Sequence, residues 1–128
     1  MKTDKHNRAG DQAGLQCAEL LALVMDALED LKGVDIKVID VSELTSITDR
    51  MVVVSGTSTR HVKALADNVA LKAKQAGSPA LGVEGAAAAE WILIDLGDVV
   101  VHVMLPAVRE FYALEKLWSV GGRIEEAN

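Results

Sequence analysis

The sequence predicts a single α/β domain with a mixed β-sheet of about five strands flanked by helices. Three observations support this class. Short β-branched runs alternate with two longer segments of helical periodicity, and residues 90–105 alternate as a β-hairpin does. The 128 residues, half of them apolar, are enough to bury one core. The predicted order is α-β-β-α-β-β-β-α, without internal repeats or a linker between domains.

The first helix follows a polar N-terminal segment. Residues 1–13 lack apolar periodicity, and we expect a disordered arm there. From Leu15 onward, apolar side chains recur at three- and four-residue steps. Lys32 lies in the last predicted turn and Gly33 just after it, which is typical of a helix C-terminus. The predicted apolar stripe consists of Cys17, Leu20, Leu21, Val24, Leu28 and Leu31.

Two strands and a second helix come next. Residues 35–41 and 50–56 are short and β-branched, and the second run is apolar enough to be central in the sheet. The small hydroxyl residues of SGTS (55–58) can cap the helix that follows. Its stripe is formed by Val62, Leu65, Ala66, Val69 and Ala73. The chain then continues into residues 80–83, which predicts a right-handed crossover to a neighbouring parallel strand.

The last part of the chain is predicted to contain a loop, the hairpin and a final helix. VEGAAAAE (83–90) has the composition of a loop or a short helical turn. Pro106 favours the first position of a helix, and we predict that this helix extends to Trp118. Residues 121–128 are predicted to be a flexible tail, which assigns residues 14–120 to the folded domain.

The hairpin EWILIDLGDVVVHVML has two predicted faces. With Gly97-Asp98 as a two-residue turn, the wholly aliphatic cross-strand pairs are Leu96 with Val99, Ile94 with Val101, and Ile92 with Val103. These pairs are predicted core. The opposite face then carries the pairs Trp91 with Met104, Leu93 with His102, and Asp95 with Val100.

Two interpretations of this second face are open from the residues alone. In the first, the final helix or the Ala-rich loop covers the face, which makes it a second part of the core. Alternatively it is a docking surface, because Trp and Met are enriched at the centres of protein interfaces. Partly exposed patches of this kind rarely go unused on a soluble monomer.

Charge points away from broad nucleic-acid binding. Thirteen basic and nineteen acidic residues give a net charge of −6, whereas binding to a phosphate backbone needs clustered Lys and Arg. No Lys or Arg occurs between Lys74 and Arg109. The acidic residues of that stretch are Glu84, Glu90, Asp95 and Asp98. They form either a solvated acidic surface or a surface that attracts a basic protein.

Other composition features point to the cytosol. The single cysteine, Cys17, cannot form an internal disulfide and is predicted to serve in packing. No apolar run reaches the length of about 18 residues that a membrane span needs. The N-terminal residues lack the apolar region of a signal peptide. We therefore expect a cytoplasmic protein that does not bind membranes.

Four segments resemble the ribosomal silencing factor family (RsfS, also called iojap). They are TDRMVVVSGTSTRHVKALAD, VEG, EWILIDLGDVVVHVM and REFYALEKLW. The similarity runs in order from about Leu20 to Trp118, nearly the whole domain. The resemblance implies a mixed five-stranded sheet related to that of nucleotidyltransferases but without their active site.

The resemblance also implies a function. Family members bind the large ribosomal subunit through the universal large-subunit protein fourteen, on the intersubunit face. There they block joining of the small subunit and reduce translation when nutrients are short. Homodimers are known in the family, which leaves that assembly open for this chain.

The family motifs coincide with the second hairpin face. Combining the two gives the predicted partner-binding residues Glu84, Trp91, Leu93, Asp95, His102, Met104, Tyr112 and Trp118. The loop sequence GAAAAEW departs from the family pattern, because relatives often have glycine and polar residues there. No partner contact is assigned to residues 85–89.

An enzymatic alternative finds little support in the residues. A nucleotidyltransferase needs a Gly-Ser loop for phosphates and two carboxylates for Mg²⁺. SGTS could hold a phosphate at a helix N-terminus, but no Asp-x-Asp follows it, and Asp98 is assigned to the hairpin turn. His61 is predicted to be a surface residue, and His102 has no second metal ligand at a suitable spacing. We predict no catalysis, metal or cofactor; a binding module for another protein remains the alternative.

Overall fold

The computed structural model describes residues 15–113 and the backbone of residues 123–126. In chain order its elements are α1 (Cys17–Asp30), β1 (Val34–Asp40), β2 (Arg50–Ser55), α2 (Thr59–Gln75), β3 (Gly82–Glu84), β4 (Trp91–Asp95), β5 (Val99–Met104), α3 (Pro106–Tyr112) and β6 (Arg123–Glu126). The predicted arm, residues 1–13, and the predicted binding residue Trp118 lie outside the described residues.

The strands form one mixed sheet in the order β3-β4-β5-β2-β1-β6. β2 and β5 are parallel at its centre, and the other neighbouring pairs are antiparallel. Five of these strands lie within residues 15–113. The predicted α/β class with a mixed sheet of about five strands is confirmed.

The hairpin has the register that the sequence predicts. Trp91 pairs with Met104, Leu93 with His102, and Asp95 with Val100, and the Leu96 N–H donates to the Val99 carbonyl at 2.9 Å. The side chain that holds the turn is that of Asp95, whose Oδ1 accepts from the Gly97 N–H at 2.9 Å. Asp98 instead links the turn to the start of β2, since its carbonyl accepts from the N–H groups of Asp49 and Arg50.

The main core lies between one face of the sheet and the helices α1 and α2. The helix residues in this cluster include Leu20, Val24 and Leu28 of α1 and Val62, Leu65 and Val69 of α2. The predicted aliphatic hairpin residues Ile92, Ile94, Val99, Val101 and Val103 are all fully buried in the same cluster. The helical and hairpin patterns therefore identified most of this core. Leu31 is the exception, because it lies after the end of α1 and is 37% exposed.

Gly33 allows the turn after α1 to approach the sheet. Its N–H donates to the Leu28 carbonyl at 2.8 Å, which closes the helix, while Lys32 takes the left-handed conformation with φ of 61°. A Cβ on Gly33 would lie 2.8 Å from Val54 Cγ2. Glycine is thus needed here for close packing. The helix ends just before Gly33, as the sequence predicts.

The position of β3 differs from the prediction. The segment is parallel to β2 in direction, but β4 and β5 lie between them, so the crossover does not lead to a neighbouring strand. β5 takes the place beside β2 because its residues are buried on both faces of the sheet except Val100. β3 has only three residues, all at least partly exposed, which suits an edge.

The C-terminal region also differs from the prediction. α3 ends at Tyr112, because Ala113 adopts the left-handed conformation with φ of 50°, whereas the predicted helix extends to Trp118. Within the predicted flexible tail (121–128), the backbone of residues 123–126 pairs antiparallel with β1. That pairing satisfies backbone groups that β1 would otherwise expose as an edge strand.

Candidate partner-binding surface

The second face of the hairpin continues across the sheet in rows of side chains. One row runs from Glu84 through Leu93 and His102 to Val53, and a second joins Trp91 to Met104 and Ser55. Side chains that pair across neighbouring strands lie on the same face. Asp95, which pairs with Val100, lies on the same face. The register thus places six of the eight predicted binding residues on one side of the sheet, namely Glu84, Trp91, Leu93, Asp95, His102 and Met104.

Part of this face is a second, smaller core. Met104 is fully buried with Ile39, Val41, Met51 and Val53, and Trp91 packs against this cluster. His102 is also buried, at 6% exposure. Met104 and His102 therefore present no accessible side chain to a partner, which corrects the expectation that the whole face is a docking surface. Trp91, Leu93 and Asp95 are half-buried, and Glu84 is exposed.

Trp91 is held in place by two neighbours of its own chain. Its indole Nε1–H donates to Nδ1 of His102 at 2.9 Å, and its ring centroid lies 4.7 Å from that of Tyr112. Burial lowers the pKa of His102 to about 4, so the imidazole is neutral at neutral pH. A neutral imidazole can keep Nδ1 as an acceptor, which the bond from Trp91 requires.

α3 carries two exposed aromatic side chains to this end of the sheet. Phe111 and Tyr112 are 80% and 52% exposed, and their rings meet edge to face with centroids 5.1 Å apart. We refer to Trp91, Phe111 and Tyr112 as the aromatic surface. Phe111 was missed by the sequence prediction. Its exposure follows from how α3 docks, and that docking was not predictable from the apolar residues around the helix.

Exposed carboxylates lie next to the aromatic residues along the chain, since Glu90 directly precedes Trp91 and Glu110 directly precedes Phe111. Glu84, Glu90 and Glu110 are exposed, no Lys or Arg occurs between Lys74 and Arg109, and Arg109 itself is buried. The predicted acidic stretch is smaller than expected, since Asp98 is only 2% exposed and Asp95 is engaged with the turn. Lys37, which pairs with Val53 and is half-buried beside Asp35, adds one cation to the same face. The exposed carboxylates near the aromatic residues favour a basic partner surface.

The Ala-rich loop forms a tight turn directly before Trp91. Gly85 has a φ of +87°, and a Cβ there would overlap the Trp91 carbonyl. The Ala89 N–H donates to the Gly85 carbonyl at 3.0 Å, and the Leu105 N–H donates to the Glu90 carbonyl at 2.9 Å. These contacts agree with the predicted short helical turn and join the loop to the start of α3.

The SGTS segment acts as a helix cap. Ser58 is the N-cap of α2, and its Oγ accepts from the His61 N–H at 3.1 Å. The His61 ring links two helices, since Nδ1 accepts from the Thr57 N–H at 2.9 Å and Nε2 lies 2.7 Å from the Leu31 carbonyl. His61 is therefore a half-buried bridge, and no phosphate site is indicated by these contacts.

Neither metal chemistry nor membrane insertion has a structural basis in the described residues. Within residues 15–113 and 123–126, no three His, Cys, Asp or Glu side chains are grouped as metal ligands would be. No helix of the same part of the chain is long and apolar enough to cross a bilayer. The prediction that the protein is not an enzyme stays a prediction.

Fold and surface together define a small α/β protein that presents aromatic and acidic side chains at one end of its sheet. Residues 15–128 match the family "Ribosomal silencing factor during starvation". A ribosomal silencing factor of Chromobacterium violaceum is 53% identical over 105 residues, which are 82% of this chain and 86% of that protein. A crystal structure of a protein from the same organism superposes with a TM-score of 0.81 at 52% identity, covering 82% of this chain and 88% of that one.

A mouse protein named "Mitochondrial assembly of ribosomal large subunit protein 1" is 38% identical over 101 residues, 77% of this chain and 44% of that protein. The family match covers most of the chain, and the bacterial relative is similar over most of its own length. This chain belongs to the ribosomal silencing factor family.

Proposed function

We propose that this protein represses translation by binding the large ribosomal subunit and preventing the small subunit from joining it. The contact is made to the universal large-subunit protein fourteen on the intersubunit face, and the block is steric. The repression operates in the cytoplasm under nutrient limitation. Family membership supports the ribosomal role, and the name of the mouse relative supports the large subunit as the partner.

The observation that carries the proposal is the exposed aromatic surface with glutamates beside it. Aromatic side chains are enriched among the residues that dominate binding energy at protein interfaces. Phe111 and Tyr112 are more than half exposed, so a partner can bury apolar area that the chain itself leaves in water. The exposed Glu84, Glu90 and Glu110 favour a basic protein over the phosphate backbone of ribosomal RNA.

Co-sedimentation with purified ribosomal subunits tests the proposal. Phe111→Ala and Tyr112→Ala remove exposed aromatic area and are expected to weaken binding to the large subunit by about tenfold or more each. The matched control is Ile47→Ala, because Ile47 is 78% exposed but lies in the β1–β2 connection at the opposite end of the sheet. The control should bind as the unmodified protein does.

The proposal fails if the unmodified protein sediments with neither subunit, or with the small subunit alone. Equal binding by the Phe111 and Tyr112 variants and the control would leave the large subunit as partner but remove the aromatic surface from the contact. A homodimer of the free protein is the other assembly that family resemblance implies. Analytical ultracentrifugation of the free protein tests it separately.

A further inference from the structure

Arg109 is a buried cation next to the aromatic surface in the chain, but it is not one of the three residues of that surface. It lies on α3 and is 5% exposed. Its Nη1 donates to Ser55 Oγ at 3.1 Å and lies 3.5 Å from the Val34 carbonyl. Its Nη2 is 3.6 Å from the Asp35 carboxylate. One side chain thus connects α3 to the beginning of β1 and the end of β2.

An irregularity in the backbone of β1 brings the Asp35 carboxylate close to the Arg109 guanidinium. The pairing of β1 with β2 shifts register between Val34 and Lys37, and Asp35 within that irregularity has a φ of 54°. Left-handed backbone is uncommon for residues other than glycine and is retained where the surroundings compensate for its cost. The carboxylate that this conformation presents is the one that faces Arg109.

α3 is a short helix that is held at several points, among them the Leu105 N–H bond to the Glu90 carbonyl and the contact of Tyr112 with Trp91. It has seven residues and no side-chain cap at its N-terminus, and a helix this short is not stable on its own. An open pocket of about 350 Å³ lies between α3 and the beginning of β1, lined by Val34, Ser55, Pro106 and Arg109 among others. Among the described residues, the contacts of Arg109 are the directional ones that tie this helix to β1 and β2.

The position of α3 decides where Tyr112 and Phe111 lie. Arg109 and Tyr112 are three residues apart, so they are neighbours on the helix surface, and the Tyr112 ring contacts that of Trp91. We propose that Arg109 is the positioning residue of the aromatic surface. It sets the orientation of α3 and so the contact between Tyr112 and Trp91 on which partner binding depends. Only the predicted effect on partner binding rests on the proposed function; the orientation of α3 by Arg109 does not.

An experiment on the free protein tests the positioning directly. In protein labelled with ¹⁵N-tryptophan, the Trp91 indole resonance is assigned by its loss in Trp91→Phe. Tyr112→Ala then gives the shift that the loss of the stacked ring produces. Arg109→Met keeps the unbranched stem of the side chain and removes the guanidinium, and we expect it to shift the Trp91 resonance in the same direction. Arg60→Met, at an exposed arginine of α2, should leave the resonance unchanged.

The same variants are then compared for thermal unfolding and for binding to the large subunit. We expect Arg109→Met to remain folded and to bind about tenfold more weakly, with part of the loss recovered in Arg109→Lys. Asp35→Asn, which keeps a residue that tolerates left-handed backbone, should shift the resonance less than Arg109→Met does.

Three outcomes would overturn the inference. They are an unchanged Trp91 resonance in Arg109→Met, a changed resonance with undiminished binding, and a binding loss fully explained by unfolding. If the unmodified protein does not bind large subunits, the proposed function fails, while the resonance shift still decides whether Arg109 positions α3.

Discussion

His102 shows how one buried side chain can link stability to the surface above it. Its imidazole accepts the indole N–H of Trp91, and burial lowers its pKa to about 4 from the ordinary value of 6.5. In the unfolded chain His102 binds a proton near pH 6.5, whereas in the folded chain it does so only near pH 4. Between these values the unfolded state binds more protons, so stability falls as the pH falls.

We therefore predict that the free energy of unfolding decreases by about 2 kcal/mol between about pH 7 and pH 5 through this residue. Chemical denaturation at a series of pH values measures it. His102→Asn is the control, because its amide oxygen can accept from Trp91 but does not titrate. The prediction is wrong if the variant loses as much stability over this range as the unmodified protein.

Trp91 and Ile94 lie on opposite faces of β4 and should respond differently to truncation. Ile94 is fully buried in the main core, and Ile94→Ala should cost about 3 kcal/mol of stability. Trp91 is half-buried, so Trp91→Ala should cost less stability but remove most large-subunit binding. Thermal unfolding and co-sedimentation of both variants measure the two effects. Equal destabilisation by the two changes would mean that Trp91 is core and not part of the docking surface.

At the scale of the elements, local patterns were predictable and distant pairings were not. The two-residue turn at Gly97-Asp98 fixes the hairpin register, because each cross-strand pair follows from counting outward from the turn. The helix stripe of α2 and that of α1 up to Leu28 were correct for a similar reason, since i to i+3 and i+4 spacing defines one buried face. These signals lie within a single segment of sequence.

The misassigned parts depend on contacts between remote segments. β3 and β5 are both short runs that could lie beside β2, and the choice depends on which is buried on both faces. The burial of His102 and Met104 depends on a second core formed with β1 and β2, which the hairpin sequence alone does not reveal. For the same reason the exposure of Phe111 was not predicted, whereas Trp91 and Tyr112 were named as predicted binding residues from the family motifs.

The pairing of β6 with β1 makes a prediction about the C-terminal segment. Deleting residues 121–128 removes this strand, so backbone hydrogen bonds are lost and β1 becomes an open edge. We expect a loss on the order of 2 kcal/mol of stability and increased self-association, measured by thermal unfolding and size-exclusion chromatography. Deleting residues 1–13 is the control and should change neither. A deletion of 121–128 that behaves like this control would contradict the role of β6.

At the scale of the whole molecule, charge should act mainly on the rate of encounter. The net charge is −6, and Glu84, Glu90 and Glu110 are exposed. Attraction to a basic protein raises the association rate and is screened by salt. We predict that the association rate with large subunits falls as salt rises from about 0.02 to 0.15 M. Glu84→Gln and Glu90→Gln together should reduce this dependence, and a rate indifferent to salt would exclude charge steering.

The central claim is that binding to the large subunit prevents subunit joining, and light scattering during joining tests it most directly. Large subunits are incubated with the protein before small subunits are added, and the scattering increase reports joined ribosomes. We predict that joining is suppressed in proportion to the occupied large subunits and is restored with Tyr112→Ala, while Ile47→Ala suppresses it fully. Normal joining by large subunits that demonstrably carry the protein would contradict the account.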